Sequence, residues 1–127
     1  MKKILLISFL LPLFTGFSYA QCPAGQVEIR VDIATDYWGN ETYWTLSDLM
    51  GTVLMQGGQG GIYADYSNYS DSICVPDSDC YFFEIWDTYG DGIIAPYGYE
   101  LYVNGLLISS GSDNIQSYAQ VTASCPN

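Results

Sequence analysis

Histidine is absent from this sequence of 127 residues, and its three basic residues stand against fourteen Asp and Glu. Two of the three, Lys2 and Lys3, sit at the N-terminus, so Arg30 is the single cation of the remaining chain. These shortages exclude several classes of function. One arginine cannot build a basic face for nucleic acid or anionic lipid. A zinc site of the Cys/His type lacks its histidines, and the cysteine spacing is not that of a zinc knuckle. Beyond the N-terminus neither an imidazole base nor a lysine nucleophile exists, which leaves only carboxylates for acid–base work. Also missing is any stretch in which apolar residues recur every 3.6 positions for three turns, so long amphipathic helices are not expected.

Only one long apolar run exists, Ile4 to Phe14 within "MKKILLISFLLPLFTGFSYA". Two lysines precede it and the small residues Ser18 and Ala20 follow at cleavage spacing, the pattern of a secretory signal peptide. The run is shorter than the ~20 residues needed to span a bilayer, so membrane insertion is not expected. Cleavage after Ala20 would release residues 21–127 as one domain, secreted or periplasmic. Its formal charge would be one positive against fourteen negative, or −13. Such a surface either repels itself or recruits cations. The four cysteines, Cys22, Cys74, Cys80 and Cys125, all lie in this exported part, where disulfides form. Of three possible pairings, Cys74 with Cys80 across "CVPDSDC" and Cys22 with Cys125 across the two ends are favoured.

What the sequence does contain is strand signal. From Val27 to Ile33 apolar residues alternate with Glu28, Arg30 and Asp32, the period of a half-buried strand. "DYWGNE" follows, then "TYWTLS", a turn at "DLMG", and "TVLMQGG". The second half repeats this order with "CYFFEIW", "DTYGDGIIAPYG", "YELYV", the hairpin dipeptide Asn104–Gly105 and "LLISSG", before a last strand "SYAQVTAS". Asp36 matches Asp87, Gly39 matches Gly90 and Asn40 matches Asp91, each at an offset of 51, which points to internal duplication. The expected fold is all-β, an antiparallel two-sheet β-sandwich of about eight short strands, jelly-roll or CUB-like. Each half contributes to both sheets or forms one, and the matching loops emerge at related edges.

Those loops place oxygen side chains and backbone carbonyls within one tight turn, which is what a hard cation such as calcium requires. Asp36, Asn40 and Glu41 from the first loop and Asp87 and Asp91 from the second are the candidate calcium ligands. Neither loop is an EF-hand: Tyr89 occupies the third position and Gly98 the twelfth, where oxygen ligands are needed. The competing explanation is two Asx-turns, with Asp36 and Asp87 bonding backbone amides and Gly39 and Gly90 at positive φ. Against it stands the lack of positive charge to offset carboxylates gathered there.

These blocks also carry a resemblance. "DYWGNETYWTL", "GTVLMQGG", a cysteine, "CYFFEIWDTYGDGI" and a terminal cysteine resemble small secreted β-sandwich modules of surface and exported bacterial proteins. Their pattern is a D-x-x-G-x-E-x-x-W block, a "C…CY" block and a D-x-Y-G-D-G block. Here it falls on Asp36, Gly39, Glu41 and Trp44, on Cys74, Cys80 and Tyr81, and on Asp87 to Gly92. Such modules are distantly similar to CUB domains, which carry acidic loop-end calcium sites and two disulfides. The resemblance covers most of residues 21–127 and implies a cation-stabilised adhesion or recognition module. Modules of this kind are usually appended to a larger enzyme or adhesin. With nothing else present, this chain is expected to act alone, assemble with itself or bind a separate partner.

Aromatics are abundant, with twelve tyrosines and three tryptophans. Trp44, Tyr81 and Trp86 lie in strand patterns and are expected in the core. Tyr37, Trp38, Tyr89 and Tyr97 flank the acidic loops and are the candidate ligand-binding rings, able to stack on sugar faces. Residues 57–72, glycine-rich and then carrying Tyr63, Tyr66 and Tyr69, read as a long connector. Enzymatic activity is not expected. The functional expectation is a calcium-binding adhesion module for a glycan or a surface or matrix protein. A self-assembling fibre or matrix subunit is the alternative, and a carboxylate-dependent glycan hydrolase using Glu41 and Asp91 is the minor one.

Overall fold

The computed structural model describes residues 21–126; the expected leader, residues 1–20, lies outside the described residues. Alternation governs the first strand, β1 (Gln26–Ala34), where Ile29, Val31 and Ile33 are buried while Glu28, Arg30 and Asp32 face outward. The same period of two puts Trp44 and Leu46 of β2 (Thr42–Asp48), Tyr81, Phe83 and Ile85 of β5 (Tyr81–Asp87), and Tyr99 and Leu101 of β6 (Gly98–Val103) into one core. Each fully buried Ile, Leu or Phe there contributes about 1.5–3 kcal/mol. β3 (Val53–Gly57), β4 (Asn68–Pro76), β7 (Leu106–Gly111) and β8 (Tyr118–Ser124) complete eight strands. Among the described residues helix is confined to two short 3-10 turns, Gly39–Glu41 and Asp113–Ile115, and no helix is long and apolar enough to cross a membrane.

The strands form two four-stranded antiparallel sheets, ordered β4-β1-β6-β7 and β3-β2-β5-β8. Matching β1–β4 with β5–β8 carries one order onto the other with the sheets exchanged, so each half contributes to both sheets. Hairpins stay within a sheet at Asp48–Gly51, where the Asp48 carboxylate accepts from the Met50 and Thr52 amides, and at Asn104–Gly105, both at positive φ. All other connections cross between sheets. The constant offset of 51 fails on the strands. Core positions Val31 and Ile33 correspond to Phe83 and Ile85, at an offset of 52, because Thr35 is interposed before Asp36. Thr35 is itself buried and donates to Ala64 O at 2.7 Å while accepting from Ser67 N at 2.9 Å.

The disulfides correct the favoured pairing. Cys22 joins Cys74 and Cys80 joins Cys125, with Cα–Cα separations of 5.6 and 4.1 Å. Each bond ties the strand that opens a half to the strand that closes it, since β4 lies beside β1 and β8 beside β5. Cys74 and Cys80 belong to different sheets, which separates the short "CVPDSDC" pair. The duplicated order, applied to the cysteines, contained this answer.

Residues 57–72 also depart from the connector reading. Asn68 begins β4, and Tyr63 is buried, accepting a hydrogen bond from Trp44 Nε1 at 2.9 Å and stacking on Tyr69 at 3.9 Å between centroids. Trp44 and Tyr81 are core as expected; Trp86 is not. It faces outward from β5 between Tyr43 and Tyr118, in a cross-strand ladder with centroids 5.0 and 5.4 Å apart. Its position in the alternation, between buried Ile85 and Asp87, decides the face.

Candidate functional site

Both Asp-x-x-Gly loops leave the same end of the sandwich, opposite the disulfides. Thr42 at the start of β2 pairs with Asp87 at the end of β5, and Ala34 at the end of β1 pairs with Gly98 at the start of β6. Residues 35–41 and 88–97 therefore meet across the sandwich end. The Thr88 amide donates to Glu41 O at 3.0 Å, and the Ile94 amide donates to Asp36 Oδ2 at 2.7 Å.

Three of the five candidate metal ligands come together. Glu41, Asp87 and Asp91 each offer a carboxylate oxygen, and these oxygens all lie within 4.8 Å of one another. Asp87 is buried, Glu41 half-buried and Asp91 exposed, so the cluster opens to solvent on one side. Gly90 N donates to Asp87 Oδ1 at 2.6 Å, closing a turn that Gly90 permits through φ +96. Burial pushes the Glu41 carboxyl above its ordinary value, and the negative charges of Asp87, Asp91 and Asp36 add to the effect. Burial likewise raises Asp87; the Gly90 hydrogen bond opposes this and the Asp91 charge reinforces it. Arg30, the one cation of residues 21–126, is committed elsewhere, its Nε 3.2 Å from Asp32 Oδ2 and its guanidinium 4.1 Å from the centre of the Tyr102 ring.

Asp36 has a different part from its counterpart Asp87. It is buried, and both its oxygens are engaged: Oδ1 accepts from Trp38 N and Oδ2 from Ile94 N, each at 2.7 Å. It clamps the two loops to each other behind the carboxylate cluster and is not one of its members. Asn40 lies exposed on the 3-10 turn with Glu41, alongside Gly61. Gly39 does not take positive φ. Its hydrogen faces the Ala64 carbonyl so closely that a Cβ would collide with it, and its amide donates to Asp65 Oδ1 at 3.1 Å.

The candidate aromatic residues divide. Trp38 packs edge-on against Tyr37 at 5.0 Å, Tyr37 meets Tyr66 at 6.0 Å, and Tyr66 meets Tyr97 at 5.6 Å. Tyr37, Trp38 and Tyr66 are exposed, so the four rings form a continuous strip along the loop end. Tyr66 was not among the sequence candidates; the spacing of three in Tyr63, Tyr66 and Tyr69 held the signal, since the strip takes the middle ring and the core takes its neighbours. Tyr89 is exposed beside Asp91 and forms no aromatic pair with the strip. Compared with family models, with curated proteins and with solved structures, the chain gives no significant match.

Proposed function

We propose that this chain is an exported, calcium-stabilised recognition module, in which the ion holds the two loops and the neighbouring rings meet a glycan or a surface or matrix protein. The observation that carries the reading is the convergence of Glu41, Asp87 and Asp91 with no cation beside them. Three carboxylates at that separation repel one another. A divalent ion removes the repulsion, and waters or backbone carbonyls on the open side would complete an oxygen shell of six to eight ligands, the number calcium takes. The two disulfides and the excess of acidic residues suit an extracellular setting in which calcium is plentiful. Thermal unfolding in EDTA and in millimolar calcium tests the reading. The melting temperature should rise with calcium in the wild type and stay level in Glu41→Gln and Asp91→Asn; a wild type indifferent to calcium refutes it.

One observation favours the second reading, a self-assembling subunit. β7 is an edge strand exposing Leu106, Leu107 and Ile108 in succession without a charge between them. Size-exclusion chromatography across a hundredfold range of concentration separates the readings, since strand-edge assembly yields larger species as concentration increases and the recognition module elutes at one volume.

A further inference from the structure

We propose that a neutral oligosaccharide lies in a trough on the outer face of the β4-β1-β6-β7 sheet, with Tyr97 as its stacking ring. This inference rests on the recognition reading and moves the ligand from the loop tips onto the sheet.

The trough, about 720 Å³, follows from the register of four strands. One row across the sheet is Asn68, Ala34 and Gly98, where the two central residues have little or no side chain. The next row is Ser70, Asp32, Glu100 and Ser110, an oxygen-bearing side chain from every strand. The missing bulk of the first row makes the depression, and the second row lines it. Four strands spaced about 4.8 Å apart spread that row over roughly 14 Å, the length of a short oligosaccharide. The volume lies within the ~300–1,000 Å³ common for ligand sites.

The lining is held in place before any ligand arrives. Ser70 Oγ donates to Asp32 Oδ1 at 2.6 Å, and Tyr102 OH donates to Glu100 Oε2 at 2.6 Å, leaving Glu100 Oε1 for a ligand hydroxyl. Tyr97, half-buried at the loop end of the trough, is braced by Tyr66 and offers an apolar ring beside the polar row. A flat apolar surface next to fixed acceptors is the combination that a pyranose ring, with its C–H face and its equatorial hydroxyls, engages.

Charge selects within the carbohydrate class. Asp32 and Glu100 face each other across β1 and β6, and Arg30 is occupied by Asp32 and the Tyr102 ring. No group remains to neutralise a uronate, sulfate or phosphate, so an anionic glycan is repelled.

Affinity electrophoresis of residues 21–127 in calcium tests the proposal, using gels containing laminarin, xyloglucan or glucomannan as neutral probes and alginate as an anionic one. Retardation is expected in at least one neutral gel and not in the anionic one. Glu100→Gln, which weakens a charged acceptor, and Ser110→Tyr, which fills the trough from an exposed edge position, should each weaken retardation about tenfold or more while melting as the wild type does. Tyr37→Ala and Trp38→Ala should leave it within about twofold. If the tip variants abolish binding and the trough variants do not, the trough is wrong and the recognition reading stands. Retardation by alginate alone overturns the trough as well. If no probe in any gel retards the wild type, the trough is wrong, and the recognition reading stands or falls on the calcium-dependent melt.

Discussion

Asp36, buried between the two loops, and Asp91, the exposed member of the carboxylate cluster, should have different consequences when replaced. Asp36→Ala takes away the acceptor of two amides, those of Trp38 and Ile94, in a site that is only 4% exposed. Each amide left without a partner costs about 1–3 kcal/mol, so the pair should cost roughly 2–6 kcal/mol. For a domain of this size, with about 4 °C of melting temperature per kcal/mol, that is a fall of roughly 8–24 °C. Asp91→Asn removes a charge from an exposed position and should shift melting in EDTA by no more than about 0.5 kcal/mol, with relief of repulsion as the favoured direction. Calcium narrows the difference. At a free concentration a hundredfold above its Kd the ion adds about 2.7 kcal/mol to the wild type, and Asp91→Asn should lose most of that gain. Far-ultraviolet circular dichroism melts of the two variants, each in EDTA and in calcium, decide the matter. An Asp36→Ala protein that melts with the wild type in EDTA would refute the clamp, and an Asp91→Asn protein that falls equally far in EDTA would refute the ligand assignment.

Further outcomes follow from other parts of the fold. Burial and mutual repulsion raise Glu41 and Asp87, so the folded state keeps protons that the unfolded chain has already released. The contribution of these two groups to stability in EDTA should therefore be complete below the ordinary carboxylate range and be lost as pH rises through the raised folded values; Glu41→Gln should flatten that decline, and an unchanged slope would count against the cluster. Tyr63→Phe strips the acceptor from the buried Trp44 indole N–H and should cost about 1–3 kcal/mol in urea unfolding, whereas a connector residue would cost nothing measurable. Non-reducing peptide mass mapping should recover Cys22 linked to Cys74 and Cys80 linked to Cys125. The bonds span 52 and 45 residues, so chain entropy assigns each about 4 kcal/mol, and loss of either pair should be readily seen in melting.

The sandwich was legible because each of its central strands is patterned by one buried face. Ile29, Val31 and Ile33 alternate with charges, and Tyr81, Phe83 and Ile85 alternate with residues that tolerate water. Strand β4 was not legible, because most of "NYSDSICVP" is exposed on an edge and only Val75 is fully buried. Trp86 misled for the opposite reason: a large ring suggests core, yet parity along β5 sends it outward. The misplaced disulfides came from weighing closeness in sequence above the repeated strand order, although the two halves close in the same way.

At the candidate site, residue identity was readable and division of labour was not. Two hexapeptides of one Asp-x-x-Gly-Asx pattern suggest two equivalent cation loops, but the halves meet at one end of the sandwich, where two loops packed against each other cannot keep identical surroundings. Thr35 stands before Asp36, which is therefore one position further from the core than Asp87; both carboxylates are buried, but that of Asp36 accepts the Trp38 and Ile94 amides while that of Asp87 bonds Gly90 and stays beside Glu41 and Asp91. One aspartate thus secures the scaffold that holds the other among its neighbours. Two turns of one pattern divide their work: one carboxylate closes the scaffold, and the other sits in the cluster proposed to take an ion.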